Sequence, residues 1–209
     1  MISEPRRNRP GSMSELSITG VVLAGGLARR MEGADKGLIF FKGAPLVKYA
    51  LNSLKPLCEQ VYINANRNHE SYQALGFPLI TDLNQDFNGP LAGILSVMSV
   101  AKTPYIMSTP CDCPLIDAEL LARLVEPVSR YNCDGSVVHD GERLHPVFLL
   151  LDCGLKDSLK AYLDSGKRKI DVWLSQHKII EVDYSDVARC FKNINAPADL
   201  LMLEDDHGA

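Results

Sequence analysis

The chain has 209 residues, 46% of them hydrophobic and 23% charged, which is ordinary globular usage and excludes a disordered or fibrous chain. That length suggests one domain, large enough to bury roughly 70% of its unfolded surface without staples. The net charge of −4 gives no support for a general nucleic-acid binder, and no run approaches the ~18 consecutive apolar residues of a membrane span.

Residues 1–17 are polar, with three arginines, two prolines and no apolar periodicity, and read as a disordered N-terminal tail. Order is expected from Ile18, where a β-branched apolar run to Leu23 ends in two glycines and reads as a strand buried on both faces. A helix follows from Pro45 to Leu57, then a strand over Val61–Asn64, a helix near His69–Leu75 and a short strand around Leu79–Thr81. Next come a helix from Pro90 to Val100, a strand at Tyr105–Ser108 and a helix from Asp117 to Tyr131. After Gly135 the rhythm changes: SVVH and RLHPVFLLL suggest longer strands added antiparallel. A helix at Gly154–Leu163, a strand around Ile179–Asp183 and a final helix from Pro197 to Leu203 complete the chain before a short tail at 205–209. Strands alternating with helices call for a three-layer α/β domain over residues 18–204, with a mostly parallel central sheet.

The six cysteines (Cys58, Cys111, Cys113, Cys133, Cys153, Cys190) contain one Cys-x-Cys and no Cys-x-x-Cys. That spacing fits neither a zinc ribbon nor a disulfide framework, so reduced thiols and a cytoplasmic location are expected.

The informative polar residues fall just past the strands, where open α/β sheets bind their ligands. In LAGGLARRMEGADKG (23–37), Gly25 and Gly26 let the backbone approach a ligand, and Arg29, Arg30 and Lys36 suit a polyphosphate. The loop is neither a Walker A motif nor a dinucleotide fingerprint. In STPCDCPLI (108–116), Asp112 follows a strand between Pro110 and Pro114. A lone carboxylate facing a phosphate loop is what magnesium requires, although Asp112 taken alone fits equally well as a cap for the helix near Asp117. Asn64 in NANR, and Asp82 in TDLNQDFNGPLAGI, lie past neighbouring strands; Asn64 suits contacts to a base or ribose, and Asp82 can accept from base N–H groups or help hold a metal. An Asx-turn at Asn64 and a helix cap at Asp82 or Asn88 fit each residue alone equally well. His139 and His145 in VHDGERLHP read as packing groups or contacts to a second substrate, and Trp173 as core.

Assembled, LAGGLARRMEGADKG, VYINANR, DLNQDFNGPLAGILSVM, PCDCPLI, VHDGERLHPVF and NINAPADL resemble, in order, the molybdenum cofactor guanylyltransferases, from about Ile18 to Leu200. LAGG with the following basic residue and DK belongs to the broader nucleotidyltransferase superfamily; NANR, GPLAG and HDGERLHP narrow it. The resemblance implies a three-layer Rossmann-like nucleotidyltransferase fold, mostly parallel with some antiparallel additions. It also implies transfer of GMP from GTP to the phosphate of molybdenum-molybdopterin, with release of pyrophosphate. Carried over by residue, Leu23, Ala24, Gly25, Gly26, Lys36, Asn64 and Asp82 would bind GTP, and Asp112 would bind both GTP and Mg2+. Arg168 in the SGKRK turn, with Asn193 and Asn195 in NINAPADL, would face the pterin. Cys113 departs from the Thr or Ser common at that position of the motif. The partners implied are the two substrates, with molybdenum-insertion proteins, acceptor molybdoenzymes or their chaperones beyond them.

That reaction gathers several negative charges, and a like-charge pair at 4 Å costs about 4 kcal/mol even at an effective dielectric near 20. Lys36, Arg30 and magnesium on Asp112 are the local sources of positive charge; the attacking phosphate is already ionised and needs no general base. Two rivals stay open on sequence. A cytidylyltransferase acting on the pterin or on a sugar or alcohol phosphate would keep LAGG, Lys36 and Asp112; a regulatory protein could hold GTP without turning it over.

Overall fold

The computed structural model describes residues 16–24, 35–84, 89–194 and 199. The strands are β1 (Ile18–Leu23), β2 (Phe40–Phe41), β3 (Ala44–Pro45), β4 (Gln60–Asn64), β5 (Leu79–Ile80), β6 (Tyr105–Pro110), β7 (Gly135–His139), β8 (Leu144–Asp152) and β9 (Ile179–Asp183). The helices are α1 (Leu46–Leu54), α2 (His69–Gln73), α3 (Pro90–Val100), α4 (Ala118–Ala122), α5 (Val125–Arg130), α6 (Lys156–Asp164) and α7 (Ile170–Leu174). Seven strands form one sheet in the order β5-β4-β1-β6-β8-β7-β9; β2 and β3 form a separate small hairpin.

The expected mostly parallel sheet with antiparallel additions is what the register shows. β5, β4, β1 and β6 pair in parallel; β8 runs antiparallel to both β6 and β7, and β9 is parallel to β7. Within the sheet, β8 alone therefore runs against the rest. Alternate residues of each strand feed opposite layers. Ile18 and Val22, Tyr105 and Met107, Phe148 and Leu150 face the layer of α1, α2, α4 and α5. Val21, Ile106, Leu149 and Leu151 face α3, α6 and α7. Burial on both faces explains why these strands read as continuous apolar runs.

One expectation meets a different outcome. The helix expected from Asp117 to Tyr131 is broken into α4 and α5. Pro127 has no N–H to donate, and a break before Val125 places it in the first turn of α5, where none is needed. Helix α7 and the β2–β3 hairpin are additional short elements that the sequence reading does not name. The final helix expected over Pro197–Leu203 lies outside the described residues, save Asp199, as do the tails at 1–15 and 205–209. Leu16 packs against the core, and the Ser17 hydroxyl donates to Glu59 Oε1.

Helix α3 is apolar all round. Leu91 to Met98 are buried without interruption, because the sheet covers one side and α6, in the same layer, packs alongside. Trp173 on α7 is fully buried and sits edge-on to His177 at 4.9 Å. Replacing so large a buried ring leaves a cavity that a five-residue helix cannot close. Trp173→Ala is expected to lower the unfolding free energy by about 3–5 kcal/mol in urea titrations; a loss below about 1 kcal/mol would show that α7 is dispensable to the core.

Candidate active site

The chain winds outward from β1 through β4 to β5, then α3 carries it back over to β6 on the other side of β1. That reversal opens a crevice beyond the carboxyl ends of β1 and β6. Ladder-like bonds continue past the strands there: Ala24 N–H donates to the Asn64 carbonyl at 2.8 Å, and Cys111 N–H to the Leu23 carbonyl at 3.3 Å. Leu23, Ala24, Asn64 and Asp112 are thus neighbours along one sheet edge. Gly25, Gly26, Arg29, Arg30 and Asn195 lie outside the described residues.

One pole of the crevice is ionic. Lys36 opens a short 3-10 helix (Lys36–Leu38), and its ammonium lies 3.0 Å from Asp112 Oδ2. Asp112 is 6% exposed. Its carboxylate also accepts from Asn193 Nδ2, which lies 3.3 Å from both oxygens, and its carbonyl accepts from Ile194 N–H at 2.9 Å. Asn193 is therefore placed against Asp112, with Cys113 Sγ donating to its Oδ1 at 3.5 Å. Asp112 does not cap the following helix; Asp117 does, accepting from Leu120 N–H at 2.9 Å.

The other pole is built from amides and a carboxylate. Asn64 Nδ2 donates to Asp82 Oδ1 at 2.9 Å and to the Ile80 carbonyl at 3.3 Å. Asn66 clamps Asp82 twice: its Nδ2 donates to Oδ2 at 2.8 Å, and its Oδ1 accepts from Asp82 N–H at 2.9 Å. Asp82 caps no helix; Gly89 stands at the N-cap of α3 without a side-chain bond. Asn64 is held from behind by Gly93 of α3. A Cβ there would collide with Asn64 Oδ1 and lie 2.7 Å from Leu23 Cδ2. A mid-helix glycine costs about 1 kcal/mol relative to alanine, and this close approach is what requires it.

The two poles are joined by residues to which the sequence reading gave no role. Asp35 is 5% exposed and accepts from Tyr72, Gly37 and Asn68, with Arg67 as its ion-pair partner. Asp35 and Arg67 stood in ADKG and NANR, beside residues singled out, so proximity in the motif was the available signal. Tyr72 had none.

Arg168 sits in the turn between α6 and α7. Its Nη1 donates to the carbonyls of Leu163 at 2.7 Å and Lys167 at 2.6 Å. β8 ends opposite the start of β6, with Asp152 paired to Tyr105, so α6 returns the chain towards the edge that carries Asp112. In the hairpin after β7, Asp140 accepts from Glu142 N–H, Arg143 N–H and His145 Nε2. The His145 hydrogen bond and the two amides hold the Asp140 carboxyl well below the usual carboxylate range. His145 also lies 5.1 Å from the Phe191 ring. Both histidines serve the hairpin, since His139 Nδ1 accepts from Gly141 N–H at 3.0 Å.

All six cysteines are free. Burial pushes Cys58 up to about 12 and Cys153 to about 11, and also raises Cys111 and Cys113 well above the usual thiol value. Protonated thiols are poor ligands and nucleophiles at neutral pH. Among the described residues no group of three or more His, Cys, Asp or Glu side chains could hold a metal ion, and no helix is long and apolar enough to cross a membrane.

A parallel-dominated sheet with a cation–carboxylate pair and a second amide–carboxylate pole at its carboxyl edge suits a nucleotidyltransferase, and the comparisons with known proteins give that class. Molybdopterin-guanine dinucleotide biosynthesis protein A from Archaeoglobus fulgidus shares the fold, with a TM-score of 0.75 at 22% identity over 90% of this chain and 97% of that one. So does 2-C-methyl-D-erythritol 4-phosphate cytidylyltransferase from Thermus thermophilus, with a TM-score of 0.66 at 15% identity over 93% and 100%. The MobA-like NTP transferase domain family matches residues 20–180. The molybdenum cofactor guanylyltransferase of Shewanella sediminis is 42% identical over 190 residues, covering 91% of this chain and 97% of the relative. The chain belongs to the MobA-like NTP transferase family, in its molybdenum cofactor guanylyltransferase branch.

A carboxyl held low in the folded state contributes stability above the ordinary carboxylate range and loses it as pH falls through the folded value. The urea midpoint of the native protein is therefore expected to drop more steeply below about pH 4 than that of Asp140→Asn. Parallel acid limbs would remove Asp140 from the acid response.

Proposed function

We propose that this protein transfers GMP from GTP to the phosphate of molybdenum-molybdopterin, forming the guanine dinucleotide cofactor and pyrophosphate. The ion pair of Lys36 and Asp112 carries the reading. It sits at the crevice edge, where a triphosphate held by the loop after β1 would bring its charge. Asn64 and Asp82 supply the nucleoside end, with Leu23 and Ala24 beside them on the rim; Gly25 and Gly26 are assigned to the GTP-binding loop from the family motif alone. Asp82 presents a carboxylate, the natural acceptor for the ring and exocyclic N–H groups of guanine. Asn193, placed on Asp112, with Asn195 and Arg168, would receive the pterin phosphate.

The donor set fits magnesium. Asp112 offers one carboxylate whose partners are a lysine and an amide, and magnesium takes one or two carboxylates with phosphate oxygens and waters completing its shell. When bound, Mg2+ would neutralise phosphate charge during the displacement. The chain's own contribution is electrostatic and positional. Lys36 and Arg30 offset repulsion of about 4 kcal/mol for each like-charge contact at 4 Å. The crevice walls hold the attacking phosphate oxygen in line with the α-phosphorus, so that its bond forms as the bond to pyrophosphate breaks. The proton-holding groups nearby are committed to structure, and an ionised phosphate nucleophile needs none of them.

A cytidylyltransferase is the alternative on this fold, because the Thermus thermophilus neighbour shares it. The 42% identity to a guanylyltransferase favours guanine. We further assign residues 18–204 to one nucleotidyltransferase domain working in the cytoplasm, where its thiols stay reduced. Molybdenum-insertion proteins and acceptor molybdoenzymes or their chaperones are the partners proposed for the handover of substrate and product.

Calorimetric titration with GTP, CTP and ATP, with and without magnesium, tests the base. Magnesium-dependent binding of GTP alone is expected; preference for CTP would move the assignment to the cytidylyltransferase. Asp112→Ala is expected to abolish pyrophosphate release with molybdenum-molybdopterin, and near-normal turnover would sink the metal assignment. Lys36→Ala is expected to weaken GTP binding by about tenfold or more, the scale of one charge-assisted contact; unchanged affinity would remove the lysine from the site.

A further inference from the structure

Asp35 is a buried carboxylate that the transfer reaction does not use, and its four partners come from three segments. Oδ1 accepts from the Tyr72 hydroxyl at 2.5 Å and from Gly37 N–H at 3.3 Å. Oδ2 accepts from Asn68 Nδ2 at 3.1 Å and lies 3.3 Å from Arg67 Nε. Gly37 belongs to the turn that begins with Lys36; Arg67 and Asn68 follow the strand that ends in Asn64; Tyr72 lies on α2. A carboxylate this buried is costly unless fully satisfied; the Gly37 bond caps the lysine's own turn, and the contacts with Arg67, Asn68 and Tyr72 tie that turn to the segment that follows Asn64.

The fit around that turn is tight. A Cβ on Gly37 would stand 2.5 Å from the Tyr72 hydroxyl and 3.4 Å from Cys111 Sγ. The turn is therefore wedged between α2 and the segment after β6 that carries Asp112. Asn68 adopts a left-handed conformation with φ 51°, which turns the chain sharply into α2.

We propose that Asp35 is a positioning residue, which acts through Lys36 by locking the lysine's turn to the Arg67–Tyr72 segment and so holding the ammonium on Asp112. It touches neither nucleotide nor metal, and it fixes the spacing between the phosphate and nucleoside poles. The inference rests on the functional reading above, in that the lysine's task is to meet the triphosphate.

A double-mutant cycle on magnesium-GTP affinity tests it, combining Asp35→Asn with Lys36→Met, read by calorimetry beside each variant's thermal midpoint. Asp35→Asn keeps the shape of the side chain but turns one acceptor oxygen into a donor facing donors. It is expected to weaken GTP binding roughly tenfold in the native background and less than about twofold when Lys36 is already methionine, since groups acting through one another are not additive. Tyr72→Phe removes a single bond and keeps the ring; it is expected to show the same dependence on Lys36 at smaller amplitude, and serves if Asp35→Asn does not fold. Equal losses in both backgrounds would show that Asp35 serves stability alone and would overturn the proposal. Failure of the unaltered protein to bind GTP at all, even with molybdenum-molybdopterin present, would instead overturn the functional reading.

Discussion

A lysine and an aspartate 76 residues apart in sequence meet at 3.0 Å on the rim of the sheet, and the rest of the site is arranged around that contact. Exposed ion pairs contribute little to stability, and enclosed ones cost desolvation that their attraction barely offsets. With side-chain exposures of 21% for Lys36 and 9% for Asp112, this pair lies between the two regimes. Stability is a poor reason to hold it there. The proposed role of the crevice in receiving a triphosphate, in a chain of net charge −4, is a better one, because the positive charge would have to be local.

The sheet makes the meeting possible. β1 pairs with β4 on one side and β6 on the other, so three consecutive parallel strands deliver Leu23, Asn64 and Asp112 to one edge. Parallel pairing demands crossover helices, and those helices bury both faces. The rim is then the place where the sheet offers polar groups in series. β8, the strand of opposite direction, extends the sheet beyond β6 and brings the Asp140 hairpin to the same rim, since β7 runs with β6 and β8 returns from it.

This logic also decides what could be read in the sequence. β1 was legible to the residue because an apolar β-branched run stops at glycines. Asn64, Asp82 and Asp112 stand out in the sequence as polar residues at or just past apolar strands, and Lys36 as a cation of the glycine-rich segment after β1; the structure places Lys36 on Asp112 and Asn64 on Asp82. Alternatives that depend on local geometry were not separable in advance: only the structure shows that Asp117, not Asp112, caps α4, and that Asp82 bonds Asn64 and Asn66. Asp35 and Tyr72, 37 residues apart, had no shared period or motif to connect them. The break in the helix expected over Asp117–Tyr131 turned on placing Pro127, which has no N–H, in a first helical turn, a question of register that composition does not answer.

Both poles also depend on a methyl group that is absent. Gly93 leaves room for the Asn64 amide, and Gly37 for the Tyr72 hydroxyl. In each case a helical element gives up side-chain packing so that a polar group from another segment can lie against its backbone. Close packing transmits such constraints rigidly. Asn64 packs against α3 in one layer, while the turn that carries Lys36 packs against Tyr72 of α2 in the other. The crevice is therefore gripped from both faces of the sheet. A reaction that gains its rate from holding two phosphates in line needs that grip, because an ångström of play would undo the alignment on which displacement depends.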